Sequence, residues 1–445
     1  MSRRRPTLPP PDTGVVAALN SDGAGVVRDG KTAFVPGALP GETIRFQRRH
    51  IHKGYDDAQL LEVLQASADR VEPKCAHFNV CGGCSLQHLN HASQVAAKER
   101  ELREAVERVG QVQPEAWMPP VTGPVWGYRR RARLGARYVI QKERVLVGFR
   151  ERNSSLVADI DGCEVLVPQV GRLIGALSAL VQRLSIRSRV PQVEVAAADN
   201  QTVLVLRVLD PPSDADREAL RSFELEHGVR FRLQAGAPNQ LESLDGLDEP
   251  LFYDLPEFDV RLSFLPSDFV QVNGEMNRRM VSHVLDLLQL DAGSRVLDLF
   301  CGLGNFTLPL ARRASEVVGI EGEEGLVQRA RDNAASNGLS NVRFHAANLA
   351  GEEAAAECLR LAGPASFSHV LLDPPRTGAR DVLAAVARLR PGRVVYVSCH
   401  PGSLARDLGI LVSEHGFRLR GAGIVDMFPH TNHVESVAVL DGPGG

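Results

Sequence analysis

Cysteines are the residues of this 445-residue chain with the clearest capacity for chemistry, and Cys399 is the most suggestive of the seven. It follows the apolar run VVYVS, so we expect it at the end of a buried strand. We interpret Cys301 and Cys358 as small hydrophobic core residues, the usual role of a buried cysteine. Cys399 is the candidate nucleophile, because a thiolate can form a covalent intermediate that divides a difficult reaction into easier steps.

Four other cysteines form a candidate metal site. Three of them have the spacing Cys75-x5-Cys81-x2-Cys84, and the fourth, Cys163, lies far along the chain. An odd number of cysteines in a chain that we expect in the cytosol argues against a disulfide framework. Four thiolates suit either zinc or an iron–sulfur cluster, although the common zinc pattern has two Cys-x2-Cys pairs. We expect a structural role, tying the loop before the first helix to the middle of the chain.

The segment VLDLFCGLGNFT places Asp298 and the turn Gly302-x-Gly304 between an apolar strand and a helix, where glycines allow a ligand to approach the backbone. Glu321 ends the next strand, seventeen residues after Gly304, where a carboxylate could accept hydrogen bonds from ribose hydroxyls. The segment has neither a phosphate-binding Lys-Ser/Thr pair nor a third glycine at the dinucleotide spacing. An adenosine without a pyrophosphate, such as S-adenosylmethionine, therefore fits better than NAD or ATP.

Two further strand ends support this site. Asn348 follows VRFHAA, and Asp373 opens Asp-Pro-Pro-Arg after HVLL. Ligands of such sheets lie at the carboxyl ends of the strands, where these side chains and Cys399 should meet. Glu435, in DMFPHTNHVES, is the candidate general base, with His430 and His433 as competitors.

This combination suits methylation of uracil at C5, a carbon that is a poor nucleophile by itself. A thiolate that adds to C6 makes C5 an enolate carbon, which can attack the methyl group of the sulfonium cofactor. A base must then remove the C5 proton so that the thiolate is expelled.

The elements that must hold these residues fall into three blocks. Residues 14–67 contain five short β segments separated by turn residues, which predicts a small barrel of the oligonucleotide-binding type. Helical periodicity follows from Ser93 to Val109, and residues 121–265 mix strands with an apolar helical run, as in an α+β domain. From residue 268 onward, apolar strands alternate with helices, which predicts a parallel sheet covered on both faces.

Composition places few further limits on function. The net charge of −3 does not by itself indicate nucleic-acid binding. Any such binding must depend on two local basic clusters: Arg48 to Lys53, and Arg129, Arg130, Arg131 and Arg133. The N-terminus lacks the apolar stretch of a secretory signal, and no run is long enough to cross a bilayer. We therefore expect a cytoplasmic protein with no membrane partner.

Five segments, FVQVN (269–273), LDLFCGLGNFT, LLDPPR, YVSC and HTNHVES, resemble the RNA uracil-C5 methyltransferase family in order and spacing, over nearly the whole chain. The resemblance implies a multi-domain α/β protein: an N-terminal TRAM (OB-type) β-barrel, an α+β middle domain with an iron–sulfur site, and a C-terminal Rossmann-like methyltransferase domain. We expect a flexible tail at residues 1–13, the TRAM domain at 14–69, the middle domain at 70–266 and the methyltransferase domain at 267–445.

The same resemblance implies roles for individual residues. Cys399 is the nucleophile and Glu435 the base, and the cysteines expected to bind a [4Fe-4S] cluster are Cys75, Cys81, Cys84 and Cys163. The S-adenosyl-L-methionine contacts fall on Gln271, Phe300, Asn305, Glu321, Asn348 and Asp373. His400 departs from the pattern, because close relatives are expected to have Asn after the nucleophile, which leaves the local hydrogen bonding open.

A barrel together with a four-cysteine site implies a member acting on 23S ribosomal RNA, because members acting on tRNA are expected to lack both. We expect a monomer with no DNA partner, which binds a flipped-out uridine near Phe269. Three alternatives stay open: the same chemistry on tRNA, cytosine-C5 methylation, and a catalytically silent RNA-binding or assembly factor. The second usually places its cysteine after proline, whereas Ser398 precedes Cys399, and the third has no need of all the catalytic residues.

Overall fold

The computed structural model of the protein describes residues 9–237, 240–246, 249–363 and 366–443. Its first part is a closed barrel in which the strands neighbour one another in the order β1-β2-β3-β5-β4. The strands are β1 (Asp12–Leu19), β2 (Ala24–Val27), β3 (Ala33–Pro36), β4 (Thr43–Ile51) and β5 (Asp56–Gln65). Val16, Val35, Ile44 and Phe46 fill its core. The expected five-stranded barrel is confirmed, and residues 1–8 of the expected tail lie outside the described residues.

The second part is a six-stranded sheet with the order β12-β11-β10-β9-β7-β8, followed by a hairpin. Its elements are β7 (Arg131–Val139), β8 (Arg144–Gly148), α2 (Pro168–Gly171), α3 (Ile174–Arg183), β9 (Gln192–Ala197), β10 (Thr202–Arg207), α4 (Asp214–His227), β11 (Arg230–Gln234) and β12 (Glu242–Ser243). The hairpin consists of β13 (Leu251–Leu255) and β14 (Val260–Phe264). Helix α3 presents Leu177, Leu180 and Val181 to the sheet, as its apolar run predicts.

The third part is an eight-stranded sheet with the order β17-β16-β15-β18-β19-β21-β20-β6, in which β6 (Ala116–Trp117) comes from an earlier part of the chain. Its elements are α5 (Gly274–Leu288), β15 (Arg295–Leu299), α6 (Thr307–Ala311), β16 (Glu316–Glu321), α7 (Glu324–Ser336), β17 (Val342–Ala346), α8 (Ala354–Ala362), β18 (His369–Leu372), α9 (Leu383–Leu389), β19 (Arg393–Ser398), α10 (Pro401–Ser413), β20 (Arg418–Val425) and β21 (Glu435–Asp441). Strands β15 to β19 are parallel, as predicted. Strand β21 runs antiparallel to both neighbours, because a short loop rather than a helical crossover connects it to β20.

Helices cover both faces of this sheet. One face packs against α5 and α7 through residues such as Met280, Val284 and Val327. The other packs against α8, α9 and α10 and also against α1 (His91–Ala105), which continues as a π-helical turn at Val106–Gly110. Among the described residues, none of the helices combines the length and the hydropathy needed to span a bilayer.

Helix α1 and β6 (Ala116–Trp117) lie on the C-terminal sheet although the chain places them before the middle sheet. Leu102 and Val106 are buried in the same core as Leu404 and Leu408 of α10. The segment 91–121 therefore packs on the methyltransferase-type sheet, whereas the sequence assigns it to the middle domain 70–266. This placement buries Val95 and Leu102 of α1 in the core that α10 also covers, so the apolar side chains of the helix are removed from water.

Candidate active site

Cys399 and Glu435 come together through the pairing of β19 with β21. Ser398 lies opposite Ser436 at the end of this antiparallel ladder, so continuing the register by one residue places Cys399 opposite Glu435. Opposite residues of antiparallel strands have Cα atoms about 4.5–5.5 Å apart and point to the same face. The Ser436 hydroxyl also donates a hydrogen bond to the Ser398 carbonyl at 3.1 Å, which ties the two strand ends together.

The surroundings of Cys399 and Glu435 shift the pKa of both side chains. Burial raises the pKa of the Cys399 thiol to about 11, and the neighbouring carboxyls of Glu435 and Asp373 add to this rise, whereas Arg376 opposes it. Glu435 is only 4% exposed. This burial, and then the charge of Asp373, raise the pKa of its carboxyl well above the usual range. Burial, reinforced by repulsion between the neighbouring acidic groups, therefore favours the protonated forms of the Cys399 thiol and the Glu435 carboxyl in the ligand-free protein, and the guanidinium of Arg376 is the side chain that favours the thiolate.

His400, which follows the candidate nucleophile, lies at the start of a helix. This residue is the N-cap of α10, and its Nδ1 accepts a hydrogen bond from the backbone N–H of Ser403 at 3.1 Å. A side-chain acceptor at the N-cap satisfies one of the free N–H groups of the first helical turn. The side-chain oxygen of Asn commonly does the same at helix N-termini. His400 therefore caps α10 directly after Cys399, which is a structural role.

Two of the expected cofactor residues, Phe300 and Glu321, lie at the turn after β15. One carboxylate oxygen of Glu321 accepts the N–H of Gly302 at 3.0 Å, and the other accepts the N–H of Gly322 at 2.7 Å. Phe300 has a left-handed backbone, with φ of 65°, and directs the chain into the glycine turn. A Cβ added at Gly302 would meet no described atom within 4 Å, so the turn opens onto free space in front of the strand ends. Glu321 and the glycine turn therefore border a cradle, the open space at the carboxyl ends of the strands.

Two acids lie behind this cradle. Asp298 is fully buried, and its Oδ2 accepts a hydrogen bond of 2.6 Å from the Thr307 hydroxyl, while Oδ1 has no partner among the described residues. Burial raises the pKa of Asp298 to about 8, and burial followed by the charge of Glu321 raises that of Asp373 to about 7. An orphaned buried oxygen at the carboxyl edge of a parallel sheet is a place where a ligand can supply the missing donor.

Asn305 is held by two residues that the sequence analysis did not identify, Tyr253 and Asn277. The Tyr253 hydroxyl and the Asn277 Nδ2 both donate to Asn305 Oδ1, at 2.9 and 2.8 Å. Asn305 Nδ2 donates back to Asn277 Oδ1 at 3.0 Å, which leaves one amide hydrogen of Asn305 available. An asparagine on the otherwise apolar buried face of α5 is the signal that could have revealed Asn277. Tyr253 comes from a distant hairpin and has no such signal.

The two remaining cofactor candidates flank this arrangement. Gln271 lines a small cavity with Tyr253 and Asn277 and so lies beside the Asn305 network. Asn348 follows β17 at the outer edge of the sheet, where it is exposed and its Oδ1 accepts the N–H of Ala350 at 3.0 Å. Asn348 therefore stabilises its own turn and presents its Nδ2 to solvent.

The histidines proposed as competing bases occupy different surroundings. His430 is buried against the ring of Trp126, with ring centroids 3.8 Å apart, and burial lowers its pKa to about 4. His433 is exposed at the surface, and its pKa is lowered by the partial burial of its ring and then by the charge of Arg376. Neither lies in the register position opposite Cys399 that Glu435 occupies.

The four cysteines of the candidate metal site line one small cavity between the first loop and the middle sheet. Burial is the main cause of the raised thiol pKa at Cys81, to about 11, and at Cys84, to about 12, and the nearby cysteines add to both. The N–H of Gly83 points to the Cys81 sulfur at 3.4 Å. Across the described ranges, no group of three or more His, Cys, Asp or Glu side chains already stands in an arrangement that could hold a metal ion.

The basic run of the middle sheet is largely engaged within the protein. Arg130 pairs with Asp199, and Arg131 donates to a backbone carbonyl. Arg133 is 72% exposed although it contacts Glu194 at 3.1 Å. Of this run, Arg133 is the side chain best placed to meet a phosphate.

Comparisons with known proteins place this geometry in a family. The sequence profile of the tRNA (uracil-5-)-methyltransferase family matches residues 91–442. The chain is 48% identical to the 23S rRNA (uracil(1939)-C(5))-methyltransferase RlmD of Stenotrophomonas maltophilia strain K279a, over 95% of each chain. It is 51% identical to the protein of the same description from Alkalilimnicola ehrlichii, over 99% of each chain. The expected resemblance to the ribosomal RNA members is confirmed.

A solved structure gives the same result for the fold. The Pyrococcus abyssi tRNA (uracil-54, C5)-methyltransferase, in complex with S-adenosyl-L-homocysteine, superimposes with a TM-score of 0.74 and 25% identity, covering 96% of this chain and 99% of that one. Because the superposition covers 96% of this chain, it includes the N-terminal barrel, so this tRNA enzyme has a corresponding domain. The expectation that members acting on tRNA lack the barrel is therefore wrong as a general rule. From its profile match, its relatives and its fold, the chain belongs to the tRNA (uracil-5-)-methyltransferase family, the RNA uracil-C5 methyltransferases.

Proposed function

We propose that the protein transfers a methyl group from S-adenosyl-L-methionine to C5 of a uridine in 23S ribosomal RNA. The observation that carries this proposal is the register of β19 and β21, which sets a cysteine and a buried carboxyl opposite each other beside Asp373. A nucleophile and a base on the same side of a substrate ring are what the addition and elimination steps require.

The chain's own residues supply the covalent chemistry. The Cys399 thiolate attacks C6 of the uracil, and the electrons of the C5–C6 double bond move toward O4, so that C5 becomes nucleophilic. Arg376 favours the thiolate by opposing the rise in its pKa. S-adenosylmethionine, when bound, supplies an electrophilic methyl group on a positively charged sulfonium. Glu435 takes the C5 proton after methyl transfer, the double bond forms again, and Cys399 is released.

The residues around the glycine turn fit this cofactor by their chemistry. Glu321 is a carboxylate suited to ribose hydroxyls, Asn305 keeps one amide hydrogen free, and the buried Oδ1 of Asp298 lacks a donor among the described residues. We assign the cofactor contacts to these surroundings, in the set Gln271, Phe300, Asn305, Glu321, Asn348 and Asp373.

The choice of 23S rRNA over tRNA rests on the relatives of about half-identical sequence, both described as 23S rRNA enzymes over nearly their whole lengths. The tRNA enzyme of known structure is half as similar. We propose that the barrel acts as a TRAM domain whose exposed Arg49, together with Arg133, meets RNA phosphates, and that Phe269, 73% exposed, stacks near the flipped uridine.

We further propose that Cys75, Cys81, Cys84 and Cys163 hold a [4Fe-4S] cluster. Four cysteines around one cavity form the donor set of such clusters, and backbone N–H groups near the sulfurs suit their negative charge. The cluster would join the loop at 75–84 to the middle sheet, a structural role.

The test uses anaerobically purified protein, ribosomal RNA, tRNA and radiolabelled S-adenosylmethionine. We expect label in the large-subunit RNA as 5-methyluridine with the wild type and with the matched control Cys358→Ala, and none with Cys399→Ala. Label in tRNA alone would overturn the substrate. Label in neither RNA would favour the silent RNA-binding alternative.

A further inference from the structure

The loop between β20 and β21, residues 426–434, delivers the proposed base Glu435 to the active site. Its conformation is costly, because His430 has a left-handed backbone with φ of 66° although it is not glycine. Such a backbone persists only where the surrounding contacts over-determine it. Glu435 is the first residue of β21, so the contacts that hold this loop act together with the pairing of β21 to set its position.

Helix α1 holds the loop from one side. The buried Lys98 ammonium donates to the carbonyl of Phe428 at 2.9 Å, and the Gln94 Oε1 accepts the N–H of His430 at 2.8 Å. These contacts fix the first half of the loop, but they end at His430, five residues before Glu435.

The cysteine-containing loop holds the second half. The backbone N–H groups of Ser85 and Leu86 both donate to the carbonyl of His430 at 2.9 Å. The Ser85 hydroxyl donates to Asn432 Oδ1 at 3.2 Å and accepts the backbone N–H of Asn432 at 3.0 Å. Asn432 Nδ2 donates to the carbonyl of Ser21 in the barrel at 2.7 Å. Asn432 thus joins the barrel, the cysteine loop and the active-site loop three residues before Glu435.

We infer that Asn432 and Ser85 are positioning residues for the proton-abstraction step. Cys399 follows β19 and Asp373 follows β18, and these two strands pair directly with each other in the parallel part of the sheet. Loss of the junction should therefore displace Glu435 while it leaves the nucleophile and the cofactor site in place. The inference rests on the proposed function and adds to it the residues that set the geometry of the base.

If the junction positions only the base, its loss should slow proton removal and leave methyl transfer intact. Before elimination the uridine is bound through a Cys399 sulfur–C6 bond and carries the new methyl group on C5. Glu435 takes the C5 proton, the C–H electrons form the C5–C6 double bond again, and the sulfur–C6 bond breaks. A displaced base slows only this last step, so methylated RNA accumulates in a covalent complex that survives denaturation.

The experiment compares Asn432→Ala, Ser85→Ala and their double variant with the wild type, on unmodified 23S rRNA and labelled S-adenosylmethionine. Glu435→Gln is the reference for a lost base. Asn200→Ala is the matched control, because Asn200 also donates to a carbonyl, of Pro250 at 3.1 Å, but in an exposed turn of the middle part. Single-turnover methyl transfer and the fraction of label in a denaturation-resistant RNA–protein complex are measured for each, together with iron content and melting temperature.

For Asn432→Ala we expect methyl transfer within about 2-fold of wild type and release slowed about 5- to 10-fold, the size expected for one or two lost hydrogen bonds. The complex should accumulate in this variant and not in Asn200→Ala. The double variant should be slowed by less than the product of the two single effects, because each single variant already removes the bond between the Ser85 hydroxyl and Asn432 Oδ1.

Parallel loss of methyl transfer and release, or release at the wild-type rate, would overturn the inference and assign the junction a purely structural role. If Asn432→Ala proves unfolded, Asn432→Asp is tested in its place by the same measurements. This variant keeps the acceptor for the Ser85 hydroxyl and removes the donor to the Ser21 carbonyl. Absence of label and complex even with the wild type would instead refute the proposed function.

Discussion

The hydroxyl of Tyr253 offers a quantitative test of how the cofactor site is organised. It donates to Asn305 Oδ1 at 2.9 Å and acts with Asn277 to fix the orientation of the Asn305 carboxamide. In Tyr253→Phe the ring stays in place and Oδ1 keeps a single donor. A hydrogen bond of this kind contributes about 1 kcal/mol net.

That free energy corresponds to a change of about 5-fold in an equilibrium constant. Because the freed carboxamide must be reordered when ligand binds, we expect Tyr253→Phe to raise the Kd of S-adenosylhomocysteine by about that factor. Isothermal titration calorimetry measures this Kd directly, without RNA. kcat at saturating cofactor should change little, since neither Tyr253 nor Asn305 contacts the proposed nucleophile or base.

Tyr138→Phe is the matched control. Tyr138 lies on β7 of the middle sheet, where its ring packs near Arg187, with the guanidinium carbon 5.4 Å from the ring centroid. If Tyr253→Phe binds S-adenosylhomocysteine as tightly as wild type while Asn305→Ala binds it weakly, the Tyr253 hydroxyl does not orient Asn305 for the cofactor. Equal affinity of all three variants would instead remove Asn305 from the cofactor contacts.

Three further predictions concern titration and the cysteine site. Because burial raises the pKa of the Cys399 thiol to about 11, kcat/KM for RNA should rise about 10-fold per pH unit between about pH 7 and 9, and Arg376→Gln should lower it at every pH. A flat profile, measured at RNA concentrations well below KM, would contradict this. Burial raises the pKa of Asp298 to about 8, so the folded protein binds the extra proton and loses stability as the pH rises from about 4 to about 8. Asp298→Asn should therefore raise the Tm of the ligand-free protein more at pH 8 than at pH 5, and an equal shift at both would argue against the raised pKa. Cys163→Ala should lose bound iron and visible absorbance, whereas the buried Cys358→Ala should retain both; full iron content in the first variant would exclude the cluster assignment.

The sequence by itself determined the architecture and the chemical character of the protein. Apolar strands alternating with helices indicated the parallel sheet, and short β segments between turn residues indicated the barrel, because both depend on local periodicity. The strand-end positions of Glu321, Asp373 and Cys399 followed from the same periodicity, since parallel strands end at a common edge. The resemblance of the motifs then supplied the family.

Other features were decided only by tertiary structure. The antiparallel register that sets Glu435 opposite Cys399 depends on a pairing between strands far apart in the chain, which no local pattern encodes. Tyr253 reaches Asn305 from a hairpin of the middle part, and Asn432 joins Ser85 and Ser21 across more than 340 residues of chain. Hydrogen bonds between distant side chains leave no periodic trace in a single sequence. The tertiary structure therefore decided how the residues of the site are held, because long-range packing alone brings their partners within bonding distance.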